Sequence, residues 1–119
     1  MSKKFTEGGT KFDHEKPKLA LLPPIAIIEV GKVFTFGANK YGENNWRGGF
    51  KWTRLISACL RHIFAFLKGE DLDEESGLNH LAHATACLLM LLELYYTRKD
   101  LDDRFKYEEK NKEKKKKRN

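Results

Sequence analysis

The chain has 119 residues, 40% of them hydrophobic, and a formal net charge of +6, a size that fits one domain with one modest core. Lys112 to Arg118 hold six basic residues and one Glu, about +5 of that charge, so a basic nucleic-acid-binding face is not indicated for the folded part. The longest apolar run, Ala86 to Leu92, is too short to span a bilayer.

Residues 1–22 are polar, contain Gly8 and Gly9, and lack periodicity; they read as an irregular arm that packs on the helical part of the chain. The opening segment has no apolar signal core, so a cytoplasmic, reducing setting is expected. Cys59 and Cys87 fit that setting as buried thiols, because each falls within an apolar helical pattern. Pro23-Pro24 marks a helix start, since proline suits the first helical turn. A first helix is expected from Pro24 to Tyr41, with Ile25, Ile27, Ile28, Val30, Val33 and Phe34 on a wide apolar arc. Gly31 and Gly37 within it suggest close packing.

The segment Gly42 to Phe50, GENNWRGGF, combines glycine, asparagine and aromatics, which suits a binding loop better than a core element. A second helix is expected from Thr53 to Lys68, with Leu55, Ile56, Cys59, Leu60 and Ile63 facing inward, Arg61 on the opposite face, and Gly69 closing it. The connector Glu70 to Gly77 is densely acidic. Asp73 reads as the N-cap of a third helix running from Glu74 to Arg98. That helix is apolar almost all round from Leu81 to Tyr96, so it should be the central one. No period-two run signals a strand. The expected fold is therefore all-α, a small bundle of three main helices over residues 23–98, followed by a charged, disordered tail at 99–119. Leu92, Leu94, Tyr95 and Tyr96 suit a dimer or tetramer interface, because a thin core leaves apolar stripes to cover. The tail itself can make weak nucleic-acid contact.

The acidic connector carries the chemistry. Glu70, Asp71, Asp73, Glu74 and Glu75 fall within six positions, and His80 and His83 come next at helical i, i+3 spacing, on one side of their helix. Antiparallel packing of the second and third helices would bring His62 to the same place. Carboxylates bind hard cations such as Mg²⁺, and imidazole suits proton transfer or binding of Mn²⁺, Zn²⁺ or Fe²⁺. Metal-ligand candidates are Glu70, Asp71, Asp73, Glu75 and His80; catalytic candidates are Glu70, Asp73, His80 and His83. A second group, Lys11, Lys16, Lys40 and Arg47, suits phosphate binding, while Asn44, Asn45 and Trp46 suit base or sugar contacts and His62 lies near the substrate. For each of these there is a plainer alternative: helix-capping acids, a hydrogen-bonded core histidine, or solvated surface lysines.

The strings GGTKFDHEKPKLALLPP, VFTFGANKYGENNWRGG and RHIFAFLKGEDLDEESGLNHLAHATACLLML resemble the phage dATP/dGTP diphosphohydrolases, in order and over residues of about 8–95. That family is similar to the MazG-like all-α nucleoside triphosphate pyrophosphohydrolases, so the resemblance implies a nucleotide substrate, a divalent metal (Mg²⁺ or Mn²⁺), and release of pyrophosphate and the monophosphate. The chain departs from the MazG-like pattern of E-x-x-E on one helix and E-x-x-D on the next. Glu70–Asp73 reads E-x-x-D but falls in a connector, and His80-x-x-His83 stands where a second acidic pair would be, which implies a mixed carboxylate and imidazole set. Two alternatives remain open: an HD-like phosphohydrolase, against which stands the absence of a His-Asp dipeptide, and a non-enzymatic phage accessory protein that binds a partner or nucleic acid through the basic tail.

Overall fold

Proline at the start of the first helix, glycine after the first and second, and an asparagine cap before the third divide this chain into three helices. The computed structural model describes residues 8–10, 12 and 14–108. Helix α1 spans Pro24–Tyr41, α2 spans Trp52–Leu67 and α3 spans His80–Thr97. Short 3₁₀ turns lie at Leu19–Leu21, Asn45–Gly48 and Lys99–Leu101. Among the described residues the molecule is all-α, with a single isolated bridge between Leu72 and Asn79. None of the described helices is long and apolar enough to cross a membrane.

The helix ends obey local chemistry. Pro24 occupies the first turn of α1, where its missing N–H costs nothing. Helix α2 ends in a Schellman motif: Glu70 N–H donates to Ala65 O, Gly69 N–H to Phe66 O, and Gly69 takes a φ of 102° that glycine adopts freely. The expected start of α3 is corrected, from Glu74 to His80. Asp73 does not cap that helix. Its carboxylate accepts from the Ser76 amide and hydroxyl, which closes a turn, and Gly77 comes next at φ 71°. Asn79 is the cap, its side chain accepting from Leu81 N–H at 2.8 Å.

Helix α3 is the centre of the fold, packed along α2 and across α1, whereas α1 and α2 have little direct contact. Small residues on α3 permit this. Ala82 and Ala86 meet Val30 and Val33 of α1, with Phe34, Leu78 and Met90 around them. Ala84 and Cys87 meet Cys59 and Ala58 of α2. Leu94, expected at an interface, is instead the most buried large side chain. The broad arc expected to be buried on α1 is narrower: Val30 and Val33 are buried, while Ile25, Ile27 and Ile28 are exposed. Nor do Gly31 and Gly37 mark close packing, since a Cβ at either would meet nothing within 4 Å. Beyond α3, Asp103 accepts from both the backbone N–H and hydroxyl of Thr53, and Arg98 donates to Gly48 O. These contacts tie residues 98–103 to the start of α2 and to the 42–50 loop.

Candidate functional site

Because α1 and α2 each lean on α3 without closing on one another, a cleft of about 980 Å³ opens between them. Helix α3 forms its floor with His83, Ala86, Cys87, Met90 and Glu93, residues that recur on one helical face. Ten residues separate His83 from Glu93, roughly 15 Å along the axis at 1.5 Å per residue.

The imidazole end is the more ordered chemically. Antiparallel packing of α2 on α3 brings His62 Nδ1 to 2.9 Å from His80 Nδ1 and stacks the rings of His62 and His83 with centroids 4.6 Å apart. The Nε2 of His80, a residue only 4% exposed, donates to Glu70 Oε2 at 2.5 Å. Ser76 Oγ lies 2.7 Å from His83 Nε2 and 2.9 Å from Asp73 Oδ2. Burial lowers the pKa of His62 below its ordinary value, and neighbouring His83 and His80 lower it further. Burial also lowers that of His83, against the opposing charge of Asp73. For Asp73 desolvation acts upward, but hydrogen bonds from the Ser76 amide and hydroxyl and the nearby imidazoles outweigh it, so its carboxyl sits below the usual range. Both imidazoles are thus held neutral and the carboxyl ionised near pH 7, the forms that ligate metals.

His62, Asp73 and His80 each offer one ligand atom, all within 4.8 Å of one another. This donor set fits a divalent metal. Two nitrogens bound at about 2.1 Å and at right angles stand about 3 Å apart, close to the His62–His80 separation. Glu70 takes the place of the carboxylate that orients a ligating imidazole by accepting its other N–H.

The expected site residues divide by position. His62, Glu70, Asp73, His80 and His83 come together. Asp71 is exposed and outside the group, and its carbonyl accepts from His80 N–H. Glu75 lines the cleft, but its carboxylate is paired with Lys40. Asn44, Asn45, Trp46 and Arg47 line the other end. There Arg47 lies over the Trp46 ring at 4.4 Å, donates to Asn44 Oδ1, and faces Glu93 at 3.6 Å. Trp46 in turn packs edge-on against Phe34. Lys16 is exposed and does not line the cleft. Lys11 lies outside the described residues.

Three lining residues escaped the sequence reading. Arg61, assigned to the face away from the core, lines the cleft together with Arg54. Their spacing of seven, on one face with Ala58 at i+4, was the available signal. Glu93 gave no local signal, being one carboxylate in an apolar helix. Cys59 and Cys87 are both buried and free, as expected. Burial, with Cys59 nearby, pushes the Cys87 thiol up to about 11, so it stays protonated beside the site.

Comparison with known proteins agrees with the resemblance. The family described as dATP/dGTP diphosphohydrolase, N-terminal, matches residues 6–104. A protein of Salmonella phage PMBT28 named dATP/dGTP diphosphohydrolase is 42% identical over 96 residues, which is 81% of this chain and 33% of the relative. The chain therefore spans about a third of the length of that curated relative. No solved structure matches it.

Proposed function

The chain belongs to the dATP/dGTP diphosphohydrolase family, and from that premise we propose that it hydrolyses purine deoxynucleoside triphosphates to the monophosphate and pyrophosphate with a divalent metal. The observation that carries this reading is that His62, Asp73 and the buried His80 each place a ligand atom within 4.8 Å of the others, and that His62 and Asp73 also line a cleft long enough for an extended nucleotide. In this reading the three residues hold the metal, and Glu70 and Ser76 orient them. The two-imidazole, one-carboxylate set favours Mn²⁺ over Mg²⁺, because Mg²⁺ prefers oxygen ligands in a near-ideal octahedron. A bound divalent cation would neutralise triphosphate charge and lower the pKa of a water.

The chain's own side chains supply the rest. Lys40 and Arg61 face the imidazole end and screen phosphate oxygens. His83 has its Nε2 committed to Ser76, which leaves Nδ1 to take the proton of a water attacking the α-phosphorus. Attack there breaks the α–β bridge, and pyrophosphate leaves with the bridging oxygen. Ala86, Cys87 and Met90 on the floor offer a deoxyribose an apolar surface. A second copy of the chain is proposed to cover Leu88, Leu92 and Tyr96 of α3, which are all exposed and of which Leu92 also edges the cleft.

The same donor set supports a second reading. Two imidazoles and one carboxylate are closer to an HD-like phosphohydrolase than to the all-carboxylate sites of MazG-like enzymes. Chromatography of the products from dGTP and dATP with Mn²⁺ or Mg²⁺ separates the two. Monophosphate and pyrophosphate are expected. Deoxynucleoside with tripolyphosphate would instead establish the second reading, and no cleavage with any metal would end both.

A further inference from the structure

Resting on the proposed nucleotide cleft, we propose that Arg98, Leu101 and Asp103 are positioning residues for the substrate: they hold the 42–50 loop from behind, so that Asn44, Trp46 and Arg47 face the cleft. None of the three lines the cleft itself. The loop needs such support. Its backbone takes a positive φ at Gly42, Asn44 and Gly49, and its own hydrogen bonds are those of single turns around the 3₁₀ stretch Asn45–Gly48, a weak framework without outside contacts. On the cleft side Trp46 meets Phe34 of α1 and Arg47 meets Glu93 of α3. Gly48 and Gly49 do not line the cleft, and the segment that follows α3 grips them.

The grip is built in register. Arg98 forks onto Asp100 with Nε at 2.9 Å and Nη2 at 2.8 Å, which turns Nη1 onto Gly48 O at 2.8 Å. Leu101 packs on Gly49, where a Cβ would collide with Leu101 Cδ1 and where φ is 100°. Lys51, the residue before α2, provides no side-chain cap. Asp103 supplies one from across the fold, accepting from Thr53 N–H at 2.9 Å and Thr53 Oγ1 at 2.6 Å, which sets a carboxylate at the positive end of the helix. Arg104 then lies 5.1 Å over the ring of Trp52, a residue only 3% exposed. Residues 98, 101 and 103 thus hold 48, 49 and 53 in the same order. The region that matches the family ends at residue 104, so it takes in this segment whole. The peptide held by Arg98 adjoins Arg47, and its release would let Arg47 and Trp46 swing off the cleft. His62, Asp73 and His80 lie at the other end of the cleft and would stay in place. The loss therefore falls on nucleotide binding and spares metal binding.

The test uses the full chain and compares wild type with Arg98→Ala, Arg98→Lys and Asp103→Ala. In Arg98→Ala the KM for dATP and for dGTP with Mn²⁺ is expected to rise at least ~10-fold while kcat stays within ~3-fold. Arg98→Lys keeps the charge and loses the fork, so it is expected to behave as the alanine variant does. Asp103→Ala is expected to raise KM in the same direction. Mn²⁺ affinity without nucleotide, read by calorimetry, should not change. Amide exchange should quicken over 42–50 and not in α3. An unchanged KM would overturn the positioning role. So would a joint fall of kcat and Mn²⁺ binding with exchange raised throughout, the mark of a merely structural contact. Calorimetry of dATP and dGTP with Ca²⁺ in place of Mn²⁺ separates this proposal from the hydrolase reading. A wild type that binds both and cleaves neither removes the hydrolase, and the positioning role then stands if Arg98→Ala weakens that binding and falls if it does not. A wild type that binds neither removes both.

Discussion

His80 has both ring nitrogens committed, one to His62 and one to Glu70. In the proposed reading, Glu70 holds Nε2–H and a cation would replace the His62 contact at Nδ1. His80→Ala or Asp73→Asn is expected to abolish triphosphate turnover and to weaken Mn²⁺ binding by calorimetry at least ~100-fold, whereas Glu70→Gln, which removes only the orienting charge, is expected to cost ~10-fold. The same residues govern response to acid. His62 and His83 have folded pKa values below the ordinary 6.5, so as pH falls through ~6.5 the unfolded chain takes up protons first and stability declines. The decline stops once pH passes below the folded values. Asp73, whose pKa is lowered, adds stability present above its ordinary 3.8 and lost as pH falls through its folded value. Urea midpoints measured from pH ~8 down to ~4 should show the first loss near 6.5 in wild type. The loss should be smaller in His62→Gln.

At the scale of elements, α3 begins where it does because Asn79 caps it and Gly77 accepts a left-handed backbone just before it. Asn79→Ala should lower stability by about 1 kcal/mol and Gly77→Ala by about 1–2 kcal/mol, measured by chemical denaturation. Leu94→Ala, at the most buried large side chain, should cost more, about 2–5 kcal/mol, because a cavity replaces it. The turn between Asp73 and Asn79 is also what aims the site. Had the helix started at Glu74, Ser76 would sit in the first turn and its hydroxyl would not bridge Asp73 to His83.

Across the whole molecule, the cleft exists because one central helix carries two flanking helices that have little direct contact with each other. The same openness leaves large apolar side chains uncovered, Tyr96 at 74% and Leu92 at 56% among them. Sedimentation equilibrium is expected to show a dimer, and Leu92→Glu should shift it toward monomer without changing helical content. Removing residues 109–119 should leave nucleotide turnover unchanged. If no nucleotide were turned over, and binding of a partner or nucleic acid were lost with that basic segment but kept in His80→Ala, the accessory-protein reading would replace the enzymatic one.

Local signals carried most of the fold and part of the site. The bounds of α1 came from Pro24 and the apolar pattern, the end of α2 from Gly69, and the His80–His83 face from its spacing, because proline, glycine and helical period act within a few residues. The start of α3 was misplaced for a local reason as well: the acidic residues that favour a helix N-terminus also stabilise an Asx turn, and the hydrogen bond from Ser76 to Asp73 decided between them. What sequence alone determined is an all-α chain with acids and imidazoles near one hairpin. Tertiary packing decided which of them meet, since only the antiparallel docking of α2 on α3 sets His62 against His80 and draws Glu75 away to Lys40. It also brought Arg47 to Glu93, 46 positions away in the chain. A side chain's neighbours across helices depend on how two helices cross, and crossing is fixed by the fit of small residues such as Ala82, Ala84 and Ala86 along the whole interface.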